Sequence, residues 1–522
     1  MKRLLILTLV LAMFLVAVPA HADPGILYVD DDGVCGENSP CYLHPQDAVN
    51  AANPGDTILV YPGTYGSRYF ECPWKPNCSC SDNYSPALIV YKDDLTIKSA
   101  EGPQNTVIQA THTCWSNAIA VQSSTGGGVT GINGWAPSAA VIVASNVTIE
   151  GLTFHRPFTC AGIYDCFYNT AGVFIGSKGA GYSDFLGSAN GATVKNNVFS
   201  DVWHAVYIWH SSDNTIVNNT VNTLGYTNHW AAISIYDGYN NAQIAFGNLS
   251  ENNLIAHNTL ANRGIALGAW APSIWTSNAG SQVCHNTTTQ VGVSYAHGPV
   301  IIGCNTGGFW QSNTDKVIRV KGVTYTGNTE LWSVSNVDVN LSAQLGYDGS
   351  ADGSEVEVVF TVNGTLYAAT TVADGTASTT ANLPPGIYTV ETKVTICDDC
   401  EFTDTDSLYI GPKLITIDIK PGSDPNSINL KSKGVVPVAV LTTGAFDAST
   451  VDSTTVTFAG ATPLRWAIED VDSDGDVDMV FHFDTRALNL TATSIEATLT
   501  GLTAGGVPIQ GMDSVNIVPG SK

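Results

Sequence analysis

Charge is scarce in this chain. Only 13% of its 522 residues are charged, and Lys and Arg together number 21 against 46 Asp and Glu, a formal net charge of −25. So few basic residues cannot neutralise a phosphate backbone, which excludes nucleic acid as a partner. An acidic surface suits divalent cations and neutral or cationic partners instead. Helical periodicity is almost absent between residues 23 and 330, so helix bundles and α/β folds are excluded for that stretch. Long apolar runs are absent too, with one exception at the start, MKRLLILTLVLAMFLVAVPAHADPG. Two basic residues, an apolar run and Ala20-His21-Ala22 make that a secretory signal peptide, with cleavage expected after Ala22. No later stretch approaches the roughly 18 apolar residues needed to span a bilayer. The expectation is a monomeric protein that is secreted, extracellular or held at the cell surface, without a membrane span.

What the chain does have is cysteine, asparagine and short alternating strands. There are twelve cysteines, ten before residue 305 and two at Cys397 and Cys400. Export makes disulfides the first expectation for all of them, including the cluster ECPWKPNCSC that could otherwise suggest zinc. Cys397 and Cys400, in CDDC, are expected to close a local loop.

Internal repetition is the strongest signal. The segments NVTIEGLTF, ATVKNNVFS, NTIVNNTVN, NLIAHNTLA, SQVCHNTTT and VIIGCNTGG line up, and the later five carry an asparagine at one offset. These are Asn197, Asn219, Asn258, Asn286 and Asn305, with Asn328 in YTGNTEL as a sixth. Surface glycosylation sequons would explain NNT or HNT singly, but not the common offset. Short strands with a repeated turn residue indicate a solenoid of β-coils stacked about 4.8 Å apart. In such a stack an inward asparagine bonds to turn backbone and to the asparagine of the next coil.

These repeats resemble right-handed parallel β-helix proteins of the pectin-lyase-like superfamily, including the generic secreted β-helix repeats of NosD-type proteins. The opening YVDDDG and HPQDAVNAANPGDTILVYPGTY is similar to the start of such proteins, where a short helix, here Gln46 to Ala52, caps the first coil. The resemblance implies an all-β fold over about 300 residues. It does not fix an activity, because the superfamily includes lyases, hydrolases, epimerases and non-enzymatic surface proteins.

The expected organisation is a signal peptide at 1–22, a capped β-helix at 23–334, and two β-sandwich-like domains. The first of these, 335–412, resembles a bacterial immunoglobulin-like domain through FTVNG and LPPGIYTV. The second, 413–522, carries EDVDSDGDVDMVF. There Asp470, Asp472, Asp474 and Gly475 give D-x-D-x-D-G, Asp476 offers its carbonyl, and Asp478 takes the ninth position. Carboxylates at this spacing repel one another without a cation, so Ca2+ is the expected ligand.

Two stripes of candidate site residues follow from the coil alignment. One holds His155, Arg156, Asp201, Trp203, His204, His229, Trp230 and Arg263. The other holds Trp209, His210, Tyr236, Asp237 and Trp270. Aromatic rings cover the apolar faces of sugars while His, Arg and Asp supply acid, base or carboxylate recognition. His204 or His229 as base, with Arg156 or Arg263 on a uronate carboxylate, makes lyase chemistry easier to meet than hydrolysis. Hydrolysis would rest on Asp201 and Asp237, which fall on different stripes. Trp203, Trp209, His210, Trp230, Asp237 and Trp270 are expected to bind substrate. The partner is thus an extracellular polysaccharide or a cell-surface glycan. The alternative is a non-catalytic matrix or adhesion protein using the same face.

Overall fold

A computed structural model describes residues 24–66, 87–109, 138–155, 171–176, 189–202, 204–209, 211–222, 231–236, 250–261, 263–268, 279–294, 300–312, 317–349 and 355–519. The signal segment and Cys72, Cys78, Cys80, Cys114, Cys160 and Cys166 lie outside these residues. So do Arg156, Trp203, His210, His229, Trp230, Asp237 and Trp270. The chain divides into two compact units, 1–320 with 348–351 and 396–400, and 321–347 with 352–395 and 401–522.

The first unit is a parallel β-solenoid built from three sheets. The first sheet has Cys41–Tyr42 at its edge and Ile26–Val29 next to it, and runs through Thr57–Val60, Thr96–Ser99, Thr148–Glu150, Thr193–Lys195 and Thr215–Val217 to Leu254–Ala256, Gln282–Cys284 and Val300–Gly303. The second runs from Gly63–Gly66 to Thr259–Leu260, and the third from Leu88–Val90 to Gly308–Ser312. Side chains alternate across each strand, so one column per sheet faces inward. In the first sheet that column is Ile58, Ile97, Ile149, Val194, Ile216, Ile255, Val283 and Ile302, in unbroken register and all buried. β-branched residues suit a pleated, buried position, and each contributes roughly 1.5–3 kcal/mol by leaving water. In the second sheet Phe154 stacks on Phe199 with ring centroids 5.3 Å apart. Val206 and Ile208 of the third sheet point into the same core, as the alternation predicts.

The helix Pro45–Ala51 caps the start. Gln46 is buried, and its side chain donates to the carbonyl of Ile89 (3.1 Å) and accepts from its amide (2.7 Å). Those contacts satisfy a strand edge that would otherwise template pairing with another chain.

The asparagine ladder is continuous. Nδ2 of Asn197, Asn219, Asn258 and Asn286 donates to Oδ1 of the next asparagine at 3.1, 3.0, 2.9 and 2.9 Å, ending on Asn305. Each acceptor oxygen also takes the backbone amide of the preceding asparagine at 3.0 Å. Asn328 is not a sixth rung. It lies between strands in the second unit, where it exchanges two bonds with the backbone of Asn340. A second ladder runs five residues upstream. Asn214 Nδ2 donates to Asn253 Oδ1 (2.8 Å), Ala192 N donates to Asn214 Oδ1, and Asn253 N donates to Ser281 Oγ.

Three disulfides join described cysteines. Cys35–Cys41 is local, and Cys284–Cys397 and Cys304–Cys400 span 113 and 96 residues. Cys397 and Cys400 therefore do not bond to each other. Their side chains reach cysteines of two successive coils, and the segment 396–400 belongs to the solenoid unit.

The second unit is built from antiparallel and mixed sheets. A five-stranded sheet has the order Glu330–Trp332, Cys400–Gly411, Gly386–Ile396, Glu357–Val362, Thr365–Thr370. Further along the chain two four-stranded sheets enclose a core with Phe458, Phe481, Phe483, Val438 and Leu499.

Candidate functional site

Asp201 and the strand His204–Trp209 belong to two different outward surfaces of the solenoid. On the second sheet His155 pairs in register with Ser200, so both side chains project from neighbouring coils. His155 Nδ1 lies 3.0 Å from Ser200 Oγ and 3.4 Å from Asp201 Oδ2. His155 is half-buried, and Asp201 is 49% exposed on a left-handed turn with φ 53°. Both contacts fall on the same nitrogen. This is not a nucleophile relay, which needs the hydroxyl on one ring nitrogen and the carboxylate on the other. It is a surface cluster of imidazole, hydroxyl and carboxylate on a rigid support.

The third sheet presents an aromatic outward column. Phe174 stacks on Tyr207 (5.8 Å), and Tyr207 on Trp209 (6.1 Å). His204 meets Tyr207 edge to face at 5.2 Å, and its Nδ1 is 3.1 Å from Ser234 Oγ. Phe174, Tyr207, Ile89, Val141 and Ala266 form a buried apolar cluster of their own, with Trp209 partly buried beside it. His204 is 3% exposed and Arg263 5%. Neither side chain of this pair, both placed on the first stripe, is therefore open to solvent. His204 opens a strand and packs, and Arg263 is enclosed at the entry to Gly264–Gly268, where its carbonyl accepts Thr288 Oγ1 at 2.7 Å. Desolvation holds the Arg263 guanidinium below its usual pKa. Of the expected catalytic and sugar-contacting residues, the structure describes Asp201, His204, Trp209 and Arg263. His204 and Trp209 share the aromatic column, and Asp201 joins His155 instead. Ser200 and Ser234 were missed because a strand serine carries no motif. Only the register shows that each lies against a histidine of the adjacent coil.

The acidic loop links the antiparallel strands Arg465–Glu469 and Asp478–Asp484. Asp470, Asp472 and Asp478 each bring a carboxylate oxygen within 4.8 Å of the others, an arrangement able to hold a cation. Asp474 and Asp476 do not join that group. Asp478 is buried, and its carboxylate accepts amides of Thr442 (2.8 Å) and Val471 (3.0 Å), so the loop is anchored at that residue. Asp476 N donates to Asp474 Oδ1 at 3.0 Å, and Gly475 between them takes φ 97°, which favours glycine. Desolvation, a side-chain hydrogen bond with Asp474 and the surrounding carboxylates push the Asp476 pKa up to about 6. Desolvation also raises Asp472, and the charges of Asp474 and Asp478 add to the shift.

No protein-family model matches the chain, and no curated protein matches it. Solved structures with partial likeness include a 1.5-MDa bacterial ice-binding adhesin, at 21% identity over 40% of this chain and 68% of that one, TM-score 0.17. A glucan-utilisation-locus protein of Bacteroides ovatus in complex with a mixed-linkage heptasaccharide is 11% identical over 38% and 48%, TM-score 0.16. A Ca2+-stabilised adhesin of an Antarctic bacterium is 16% identical over 41% and 52%, TM-score 0.16. TM-scores this low define no shared overall fold. The three disulfides are those of an oxidising compartment. No helix among the described residues is long and apolar enough to cross a membrane.

Proposed function

We propose that this is an extracellular β-helix protein of the pectin-lyase-like kind that binds a polysaccharide along the flank carrying His155, Ser200 and Asp201. The observation that supports this is the polar cluster itself, with the His155 imidazole between a hydroxyl and an exposed carboxylate on stacked strands. Hydroxyl-rich ligands are recognised by such mixed donors and acceptors, and a rigid sheet holds them in position at little entropic cost.

Lyase chemistry is the second reading, favoured by the 3.4 Å contact between Asp201 and the His155 ring. A carboxylate that orients an imidazole is the arrangement a general base requires. The buried His204 suits that role less well. The acidic loop at Asp470, Asp472 and Asp478 serves as a stabilising calcium site in both readings, because hard oxygen ligands on a tight turn match that ion.

One experiment separates the readings. Purified protein with calcium is incubated with a panel of uronate and neutral polysaccharides, while retention on each polymer and absorbance of unsaturated products are followed. Retention without product, lost in His155→Ala and Asp201→Ala, is the expected outcome. Product formation that these variants abolish would establish the lyase. Neither retention nor product on any polymer would sink both.

A further inference from the structure

One four-stranded sheet of the second unit has the order Ile417–Ile419, Val435–Val440, Asp478–Asp484, Arg465–Glu469, and its two edges differ. At the first edge Ile417 and Ile419 are buried, and the Ile419 amide donates to Asp513 Oδ2 at 2.9 Å, which caps that side. At the other edge Trp466 is 47% and Ile468 53% exposed. No further strand among the described residues pairs with Arg465–Glu469 there.

The two exposed side chains belong to the core face of the sheet. Trp466 lies opposite Phe481 and Phe481 opposite Val438, while Ile468 lies opposite Met479 and Met479 opposite Val440. Residues directly opposite in an antiparallel pair share a face, and Phe481, Met479, Val438 and Val440 are all buried. The apolar rows therefore run out of the core and stop, uncovered, at the last strand. Arg465, Ala467 and Glu469 alternate onto the outer face, with both charged side chains exposed.

The backbone of this strand is oriented for a partner. The His482 carbonyl accepts the Leu464 amide at 2.8 Å, so it points at the edge strand. Arg465 lies opposite His482, and its backbone groups therefore face into the sheet, as do those of Ala467 and Glu469 by alternation. The N–H and C=O groups of Trp466 and Ile468 face the open side.

Charges on an edge commonly discourage pairing, and one sign repeated would repel a second copy. Here the signs are opposite, and Arg-Trp-Ala-Ile-Glu is its own complement. When two such strands lie antiparallel about a two-fold axis at Ala467, Arg465 meets the second copy's Glu469 and Trp466 meets its Ile468. We propose that a second copy of this chain pairs along Arg465–Glu469, giving a two-fold dimer in place of the monomer expected from the sequence. Trp466 and Ile468 exchange backbone hydrogen bonds across the junction, and each apolar row continues into the core of the other copy. The acidic loops begin beyond Glu469 at opposite ends of the paired strands, so their carboxylates do not face each other. The contact is small, so the dimer forms only at high protein concentration.

The test is sedimentation velocity on the full chain with calcium, from about 1 µM to about 200 µM. The average mass should rise from monomer toward dimer across that range. Arg465→Glu and Glu469→Arg each set like charges against one another and should weaken the dimer about tenfold or more. Arg465→Glu/Glu469→Arg restores opposite charges in the same register and should dimerise as the wild type does. Both side chains are exposed, and far-ultraviolet dichroism should show the fold of all three variants unchanged. Ala467→Cys places one thiol of each copy at the two-fold axis, so mild oxidation should join the copies at position 467, as located by peptide mapping. A monomer at every concentration would overturn the proposal. So would a dimer indifferent to either single reversal, or one that the combined reversal fails to restore.

Discussion

The asparagine ladder and the acidic loop are both rows of short polar side chains brought together by a repeated spacing, yet their physics is opposite. A carboxamide carries donor and acceptor, so each rung satisfies the next and a buried row is self-complementary. Asn258 shows this fully. Its Nδ2 reaches Asn286, Ile216 O and Ala256 O, and its Oδ1 accepts both nitrogens of Asn219. A carboxylate only accepts, so the row of aspartates needs donors from outside. Asp478 finds two amides, and Asp470 and Asp472 bring their carboxylates beside it in an arrangement able to hold a cation. Neutral rungs can be stacked indefinitely inside a protein, whereas charged ones collect at a single surface loop.

Exchanging the two side chains should break the comparison most visibly. Asn258→Asp places an acceptor against two carbonyls and an amide oxygen in a buried site. It should cost about 4 kcal/mol of solenoid stability, read by denaturant melts. Calcium removal comes next. At a calcium concentration 100 times the dissociation constant, chelation should cost about 2.7 kcal/mol, seen as a lower melting temperature of the second unit. A melting temperature indifferent to chelation would remove calcium from the account. The reverse exchange, Asp472→Asn, should raise the melting temperature of the calcium-free protein slightly while abolishing its calcium response. The smallest effect is on pH. Because the folded loop raises the Asp476 pKa to about 6, the protonated form is favoured by folding. That contribution is present below about pH 4, the ordinary aspartate pKa, and is lost as pH rises through about 6. Carboxyl resonances of the calcium-free protein should titrate near that value, and calcium should move the midpoint down.

Much of the solenoid was legible because stacking turns a spatial repeat into a sequence repeat. Asn197 through Asn305 share an offset in the sequence for the same reason they share a column in space. The second ladder was equally accessible, five residues upstream at Asn214 and Asn253, but Ala192 and Ser281 interrupt it and hide the period. Asn328 fits the text and fails in space, because a rung needs another coil above it. Disulfide pairing was not legible. Proximity in CDDC suggested a local bond, while the partners of Cys397 and Cys400 lie about a hundred residues away in sequence. His204 was misplaced for a related reason. Its sequence sits beside a turn, but strand register puts it under Tyr207 and against Ser234, and register depends on neighbours the local sequence does not name.

The bond between Cys284 and Cys397 also determines how this chain would carry mechanical load. Tension applied through the two ends would pass directly from one sulfur to the other and bypass the 113 residues of sequence separation between them. About 380 Å of extensible chain is thereby withheld from stretching. The later coils and the strands that follow them would stay folded under a pull that uncoils the earlier turns, and only reduction of both this bond and Cys304–Cys400 would release that length.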